Sequence, residues 1–329
     1  MAYDLEFEKP LADLEKKIVG LKKRGERLKR DEQEQLQKAE LELTRLTKEI
    51  YSQLTDWQTV LVSRHKDRPH AFDLVQLICE DFFEMHGDRT FGDNATIMGG
   101  PALLGDTTVM VLCHEKGRGL KGQRDHNAGQ PRPEGFRKAQ RLMLQAEKFG
   151  FPVICLVDTP GASIALEDEE RGQSTAIATS ILQMAQLRVP IISVVIGEGG
   201  SGGALALGVS DYLFMLEHTY FSVAAPESVA SIIWRSTKFA AEAAEGQHIS
   251  ARRLYKLGLV DGLICEPLGG AHRDYPAVAE TLKTTILQHL RCLQQMPLGE
   301  LLERRYQKFR SIGVYEYATE PIDMAVSAD

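Results

Sequence analysis

The stretch Pro190-Ile-Ile-Ser-Val-Val-Ile-Gly-Glu-Gly-Gly-Ser-Gly-Gly-Ala204 decides how this 329-residue chain is read. Ile191, Ile192, Val194, Val195 and Ile196 form a short run of β-branched residues, the mark of a buried strand. The run empties into Gly197-Glu198-Gly199-Gly200-Ser201-Gly202-Gly203, and Ala204-Leu205-Ala206-Leu207 then open a helix. Glycine lets a ligand approach the main chain closely, and the first turn of a helix carries unpaired N–H groups at the positive end of its dipole. The stretch therefore predicts a place where something anionic, or becoming anionic, is held by backbone.

Working outward, the same pattern occurs once before it. A helical segment at 134–149 leads into Pro152-Val-Ile-Cys-Leu-Val157, then Asp158-Thr159-Pro160-Gly161-Ala162. A second helical segment at 169–187 leads to Pro190. Helix, proline-started strand, glycine turn, helix is the rhythm of a parallel sheet with crossover helices, so the fold class is α/β. Before this pair come a helix at 72–85, a strand at 109–113 and a basic, glycine-rich loop from Lys116 to Arg124. After it come strands at 211–216, 220–223 and 260–264, with helices at 226–234, 248–257, 275–296 and 298–310. Near the start, Leu11, Leu14, Ile18 and Leu21, then Leu36, Ala39, Leu43, Leu46, Ile50 and Leu54, repeat at helical spacing with a break near Gly25 to Asp31. Two long helices folded as a hairpin result, either capping their own domain or leaning on a partner. The expected division is a helical hairpin at 1–65, an α/β domain at 66–313 and a loose tail at 314–329.

Composition bounds the function. The formal charge is −7, which argues against nucleic acid as the main partner; the local basic run from Lys22 to Arg30 fits a solvated helix face. Residues 1–10 carry Asp4, Glu6 and Glu8 where a signal peptide would be basic and apolar, and no apolar run approaches the roughly 20 residues that span a bilayer. The five cysteines, Cys79, Cys113, Cys155, Cys265 and Cys292, are scattered without a C-x-x-C pair. They read as buried free thiols of a reducing cytoplasm, with no metal site in this chain.

Three chemistries fit the glycine cluster. Gly199-Gly200-Ser201-Gly202-Gly203 satisfies G-x-S-x-G, which would make Ser201 a nucleophile, with Asp211, Glu217, His218 and His248 as the acids and bases available downstream. Gly197-x-Gly199-x-x-Gly202 satisfies the dinucleotide fingerprint, although that motif belongs to the first strand of its domain. The third uses both turns: if neighbouring strands bring Gly161-Ala162 beside Gly202-Gly203, their N–H groups converge on one oxygen as an oxyanion hole for an enolate or similar anion. Such an arrangement is the hallmark of the crotonase/ClpP-like spiral of repeated ββα units.

Several motifs carry a wider resemblance. Phe7-Glu8-Lys9-Pro10-Leu11, Pro133-Glu134-Gly135-Phe136-Arg137-Lys138-Ala139, Asp158 to Ala162, Glu169-Glu170-Arg171-Gly172-Gln173-Ser174, Val195 to Leu205, Glu266 to Arg273 and Arg304-Arg305-Tyr306-Gln307 follow in order. Together they resemble the alpha-subunit family of bacterial acetyl-coenzyme A carboxylase carboxyltransferase, over about residues 5–313. The resemblance implies a crotonase-like subunit that transfers the carboxyl group of carboxybiotin to acetyl-CoA, giving malonyl-CoA, the first committed step of fatty acid synthesis. It implies a zinc-ribbon beta subunit in an α2β2 heterotetramer, a biotin carboxyl carrier protein and a biotin carboxylase. It also implies Gly202 and Gly203 as oxyanion donors faced by Gly161 and Ala162. Gly199, Gly200 and Ser201 would line the biotin side, with Arg118 and Lys121 in a basic loop suited to coenzyme A phosphates or to the partner. Two segments depart from the family pattern. Ser163-Ile164-Ala165-Leu166 stands where an aromatic residue and Pro-Gly are usual, and Asn127-Ala128-Gly129-Gln130 stands where Asn-Phe-Gly-Met is usual. A different acyl thioester, or a mainly scaffolding role, is the reading these departures raise.

Overall fold

The computed structural model describes residues 3–24 and 29–313. The expected tail at 314–329 and Arg27 of the basic run lie outside the described residues. Helices α1 (Lys9–Lys22) and α2 (Arg30–Ser52) pack together as the periodicity predicts, burying Leu11, Ile18 and Leu21 on one side and Ala39 and Tyr51 on the other. The base of the pair is fastened to its own chain. Arg252 donates to the carbonyls of Ser52 and Tyr51, and the Tyr51 hydroxyl donates to the buried Glu8 carboxylate at 2.6 Å. Next come α3 (Asp56–Ser63) and α4 (Ala71–Ile78).

A seven-stranded sheet carries the rest, built from β1 (Ile97–Leu104), β2 (Thr107–His114), β3 (Val153–Thr159), β4 (Ile191–Gly200), β5 (Tyr212–Leu216), β6 (Tyr220–Ser222) and β7 (Gly262–Ile264). Its order is β1-β2-β3-β4-β5-β7, with β6 paired to the far end of β4. β1 and β2 are an antiparallel hairpin; every later pairing is parallel. Alternate residues of the central strands feed two cores, as a sheet covered on both faces requires. Ile154, Leu156, Ile192 and Val194 meet α4 and α13 (Tyr275–Gln294), while Val153, Cys155, Val157, Ile191 and Val195 meet α6 (Pro133–Phe149) and α8 (Gln173–Gln186). This is a crotonase-like α/β fold.

The structure corrects several expectations. Residues after Ile78 do not continue the helix to 85; they run extended along β1, with Phe83 and Met85 N–H groups donating to Pro101 and Gly99 carbonyls. The backbone can lie this close because Gly100 has no side chain: a Cβ there would sit 1.9 Å from the Phe83 oxygen. The basic loop holds a helix, α5 (Gly119–Asp125). The helix expected at 169–187 is split into α7 (Leu166–Glu170) and α8 by Gly172, which adopts φ +84°. β4 runs through the glycines to Gly200, and the helix after it, α9 (Ser201–Leu205), is a single turn starting three residues before Ala204. Beyond it lie α10 (Pro226–Trp234), α11 (Ala240–Gln247), α12 (Ala251–Lys256) and α14 (Leu298–Arg310); the 248–257 segment is thus a shorter helix preceded by one unforeseen. Cys113 and Cys155 are buried thiols, but Cys265 and Cys292 are exposed. Among the described residues no helix is long and apolar enough to cross a membrane.

α14 is pinned by one side chain. Arg305 is 1% exposed and donates to both Asp211 carboxylate oxygens at 2.8 Å and to the carbonyls of Met184, Leu187 and Val189. Removing it leaves the buried Asp211 carboxylate without its counter-ion and the Leu187 and Val189 carbonyls without a donor, so Arg305→Met should lower unfolding free energy by about 3–5 kcal/mol. Urea denaturation followed by circular dichroism measures this.

Candidate active site

β3 and β4 are adjacent and parallel, so their C-terminal turns leave the sheet side by side. The approach is very close. A Cβ on Gly200 would lie 2.2 Å from the Pro160 carbonyl group, and one on Gly203 would lie 2.7 Å from the Ala162 nitrogen. Gly161, Ala162, Gly199, Gly200, Ser201, Gly202 and Gly203 are thereby brought together as the sequence suggests, and only glycine permits the contact. Gly202 and Gly203 belong to the first turn of α9, where N–H groups have no intrahelical acceptor, and no side chain caps that turn. Facing them, the Gly161 N–H is spoken for, donating to the Thr159 hydroxyl at 3.1 Å. Thr159 in turn donates to the Gly129 carbonyl at 2.7 Å, so the turn is braced from behind. Among the described residues no acceptor takes the Ala162 N–H.

Beneath the turns lies a buried charge cluster that sequence reasoning missed. Lys116 Nζ is ion-paired to Asp158 Oδ1 at 2.6 Å and to Glu198 Oε2 at 2.7 Å. Arg64 Nε donates to Glu198 Oε1 at 2.6 Å and Arg64 Nη1 to Glu227 at 2.5 Å; the Tyr220 hydroxyl donates to Glu198 at 2.7 Å. Burial alone would raise the Glu198 carboxyl, but Lys116 and Arg64 outweigh it and hold the group down at about 2. Burial likewise works against the Lys116 ammonium, and the two carboxylates override it and raise its pKa. These partners are far apart in sequence, and the only legible hint was a lysine within His114-Glu115-Lys116-Gly117-Arg118.

Two cavities flank the turns. One, of about 490 Å³, is lined by Arg64, Arg68, His70, Lys116, Arg118 and Glu198. The other, of about 500 Å³, opens beside Ser201 and Gly202 and is apolar, with Leu205, Phe221, Val223, Leu254, Phe309 and Ile312 in its walls. Of the basic-loop residues, Arg118 is engaged by Asp73 at 2.5 Å, while Lys121 is exposed on α5. Asp4, His65 and Asp67 place three possible metal-ligand atoms within 4.8 Å of one another, but Lys66 is already paired to Asp4 at 2.6 Å, so an ammonium neutralises the spot.

The altered lip is rigidly built. Buried Ser163 donates to the buried Asp168 carboxylate, which also accepts from Arg171, while Gln173 donates to the carbonyls of Pro131 and Ser163. Ile164 is left 89% exposed at its tip. The hydrolase reading finds no triad. Asp211 is consumed by Arg305 and the Ile191 N–H, and among the described residues no histidine or carboxylate hydrogen-bonds Ser201. Ser201 does adopt φ +50°, the left-handed backbone that turns the chain sharply from strand into helix. Nor does the dinucleotide reading fit, since a one-turn helix on the fourth strand is not the long first helix of that motif.

The fold is that of the crotonase-like carboxyltransferases, with two glycine turns meeting at the ends of β3 and β4 and, among the described residues, no side-chain nucleophile paired to an acid or base between them. The chain belongs to the acetyl co-enzyme A carboxylase carboxyltransferase-like family, whose profile matches residues 4–313. The acetyl-coenzyme A carboxylase carboxyl transferase subunit alpha of Listeria innocua is 50% identical over 316 residues, covering 96% of this chain and 99% of that protein. Among solved structures, transcarboxylase 12S superposes with a TM-score of 0.58 at 18% identity over 72% of this chain and 44% of that one. A chain of a Pseudomonas malonate decarboxylase hetero-tetramer in complex with coenzyme A gives 0.53 at 20% identity over 67% and 90%.

Gly203→Ala keeps its N–H but sets a Cβ 2.7 Å from the Ala162 nitrogen, so the two turns must part; turnover should fall by about 10²–10³-fold, the scale of one displaced backbone donor, while the far-ultraviolet circular dichroism of the complex stays as in the wild type. Steady-state kinetics on the purified complex checks it. Acid should destabilise the fold in two stages. Burial depresses His114 and His272 to about 3, so the unfolded chain takes up protons first and stability falls as pH drops below about 6.5. Glu198 and Glu266, both held at about 2, add stability that is complete above about 4.5 and is lost as pH falls toward 2. Urea midpoints between pH 7 and 3 should therefore fall with a slope that steepens below 4.5, and Glu266→Gln should flatten the lower stage.

Proposed function

We propose that this chain is the alpha subunit of an acetyl-CoA carboxylase carboxyltransferase, serving the carboxyl-donor side of the reaction. The observation that carries this reading is the meeting of the Ala162 N–H with the first turn of α9, where Gly202 and Gly203 offer theirs. The carboxyl group comes from carboxybiotin on a carrier protein and goes to acetyl-CoA, giving malonyl-CoA. As it leaves, negative charge gathers on the ureido oxygen of biotin, and fixed backbone donors at the turn stabilise that charge without reorganising. Gly161 shapes the turn and Ala162 donates. Gly199, Gly200 and Ser201 form the wall on the biotin side, beside an apolar cavity of about 500 Å³ that suits the bicyclic ring and its alkyl arm.

The acyl side belongs to a zinc-ribbon beta subunit, with two copies of each chain in the assembly and biotin carboxylase and the biotin carboxyl carrier protein as further members, in the cytoplasm. Apolar side chains left in solvent support a partner: Ile164 is 89% exposed and Val223 86% beside the turns, and Ile232 on α10 is 77% exposed. Lys121 is free to meet a coenzyme A phosphate, whereas Arg118 would have to exchange Asp73 for one. The departure of residues 163–168 from the family pattern raises a second reading, a different acyl thioester as substrate.

Co-purified with its beta subunit, the chain should convert malonyl-CoA plus biocytin to acetyl-CoA, and should prefer the malonyl thioester to the methylmalonyl one. Absence of biocytin-dependent turnover with an assembled complex would refute the reading. A preference for the bulkier thioester would keep the reaction class but change its substrate.

A further inference from the structure

The ladder between β3 and β4 fails just where the site begins. Val157 pairs with Val195, but the next pairing is Thr159 with Gly199, so two residues along β3 answer to four along β4. Ladder bonds cannot set the spacing of the turns across such a slip, and the freed backbone groups need other partners. Side chains supply them. The Glu198 N–H donates to Asp158 Oδ1 at 2.8 Å, and the Ile196 carbonyl accepts from Arg68 at 2.7 Å. Gly197 makes room, since a Cβ there would lie 2.3 Å from Asp158 Oδ1. That leaves two carboxylates side by side, Asp158 one residue before Thr159-Pro160-Gly161 and Glu198 one before Gly199-Gly200. Unbridged, they would repel and force the strand ends apart.

We propose that Lys116 is a positioning residue that fixes the separation of the two oxyanion turns by bridging Asp158 and Glu198. It arrives from the end of β2, the strand beside β3, so one ammonium ties three neighbouring strand ends together. Lys116 touches none of the turn N–H groups; it acts through the carboxylates, and Arg64 and Tyr220 hold the outer side of Glu198 against it. The inference rests on the carboxyltransferase reading above. Its effect belongs in kcat, because the hole matters when charge develops, while KM for the thioester is set elsewhere.

The test uses the complex with the beta subunit and the malonyl-CoA plus biocytin assay. Lys116→Met should lower kcat by about 100-fold, the scale of a 1 Å misplacement, with both KM values within about threefold of wild type. Lys116→Arg, whose fork can still span two carboxylates, should recover to within about tenfold of wild type. Glu198→Gln should lower kcat alone, and adding it to Lys116→Met should cause little further loss, because both act on one bridge. A Lys116→Met kcat within threefold of wild type overturns the proposal, as does a rise in KM at unchanged kcat, which would make Lys116 a ligand contact. Additive losses in the double variant also overturn it. If Lys116→Met fails to assemble, Glu198→Gln and Asp158→Asn decide: wild-type kcat in both sinks the bridge. An inactive wild-type complex would instead refute the carboxyltransferase reading.

Discussion

Everything at the site depends on the slip between β3 and β4. Parallel strands in strict register deliver their turns at a spacing dictated by the ladder, about 4.8 Å from strand to strand. Here the register holds to Val157 and Val195 and then shifts, letting β4 run on through Glu198-Gly199-Gly200 before it turns. The extra length brings Gly200 against Pro160 and Gly203 against Ala162. The same slip removes pairing with β3 at Ile196 to Glu198, and the Arg68 and Asp158 side chains take its place. Arg68 is itself held by a bidentate pair with Glu266, whose side chain is fully buried and also accepts the N–H groups of His218 and Ala271. A local irregularity is thus tied into segments distant in sequence.

Such buried charges are an uncertain source of stability, since desolvation offsets most of their attraction. Their value here is geometric. Apolar contacts among Val, Ile and Leu would tolerate a slide of a few tenths of an ångström, whereas an ammonium at 2.6 and 2.7 Å from two carboxylates tolerates little. The basic character of the Lys116 to Arg124 segment looked like a single feature in sequence. In space its first two cations serve separate acids, Lys116 in the buried cluster and Arg118 on Asp73.

Much of this was legible without coordinates. The β-branched runs after Pro152 and Pro190 name the central strands because few other segments concentrate such residues, and their repeated order implies neighbours in a parallel sheet. Pairing Gly161-Ala162 with Gly202-Gly203 followed from that topology, although the Thr159 hydroxyl that claims the Gly161 N–H could not be foreseen. Other features were hidden for physical reasons. Residues 80–85 continue an apolar pattern that suits helix as well as strand, and the deciding factor, the bare backbone of Gly100, is distant in sequence. Gly199 and Gly200 have poor strand propensity, yet pairing with β6 keeps them extended. Arg64, Lys116 and Glu198 lie on three separate elements, so no spacing rule connects them.

The anchoring of Arg305 bears on how the protein is made. The carbonyls of Met184, Leu187 and Val189 lie in the crossover that delivers β4, and Asp211 opens the way to β5. A ribosome emits these segments well before residue 305, so the nascent crossover carries the Leu187 and Val189 carbonyls before their arginine donor exists. Full satisfaction of that crossover must wait until α14 has emerged. The strand that carries the second glycine turn is therefore anchored from a helix made late in synthesis, even though its own residues appear near the middle of the chain.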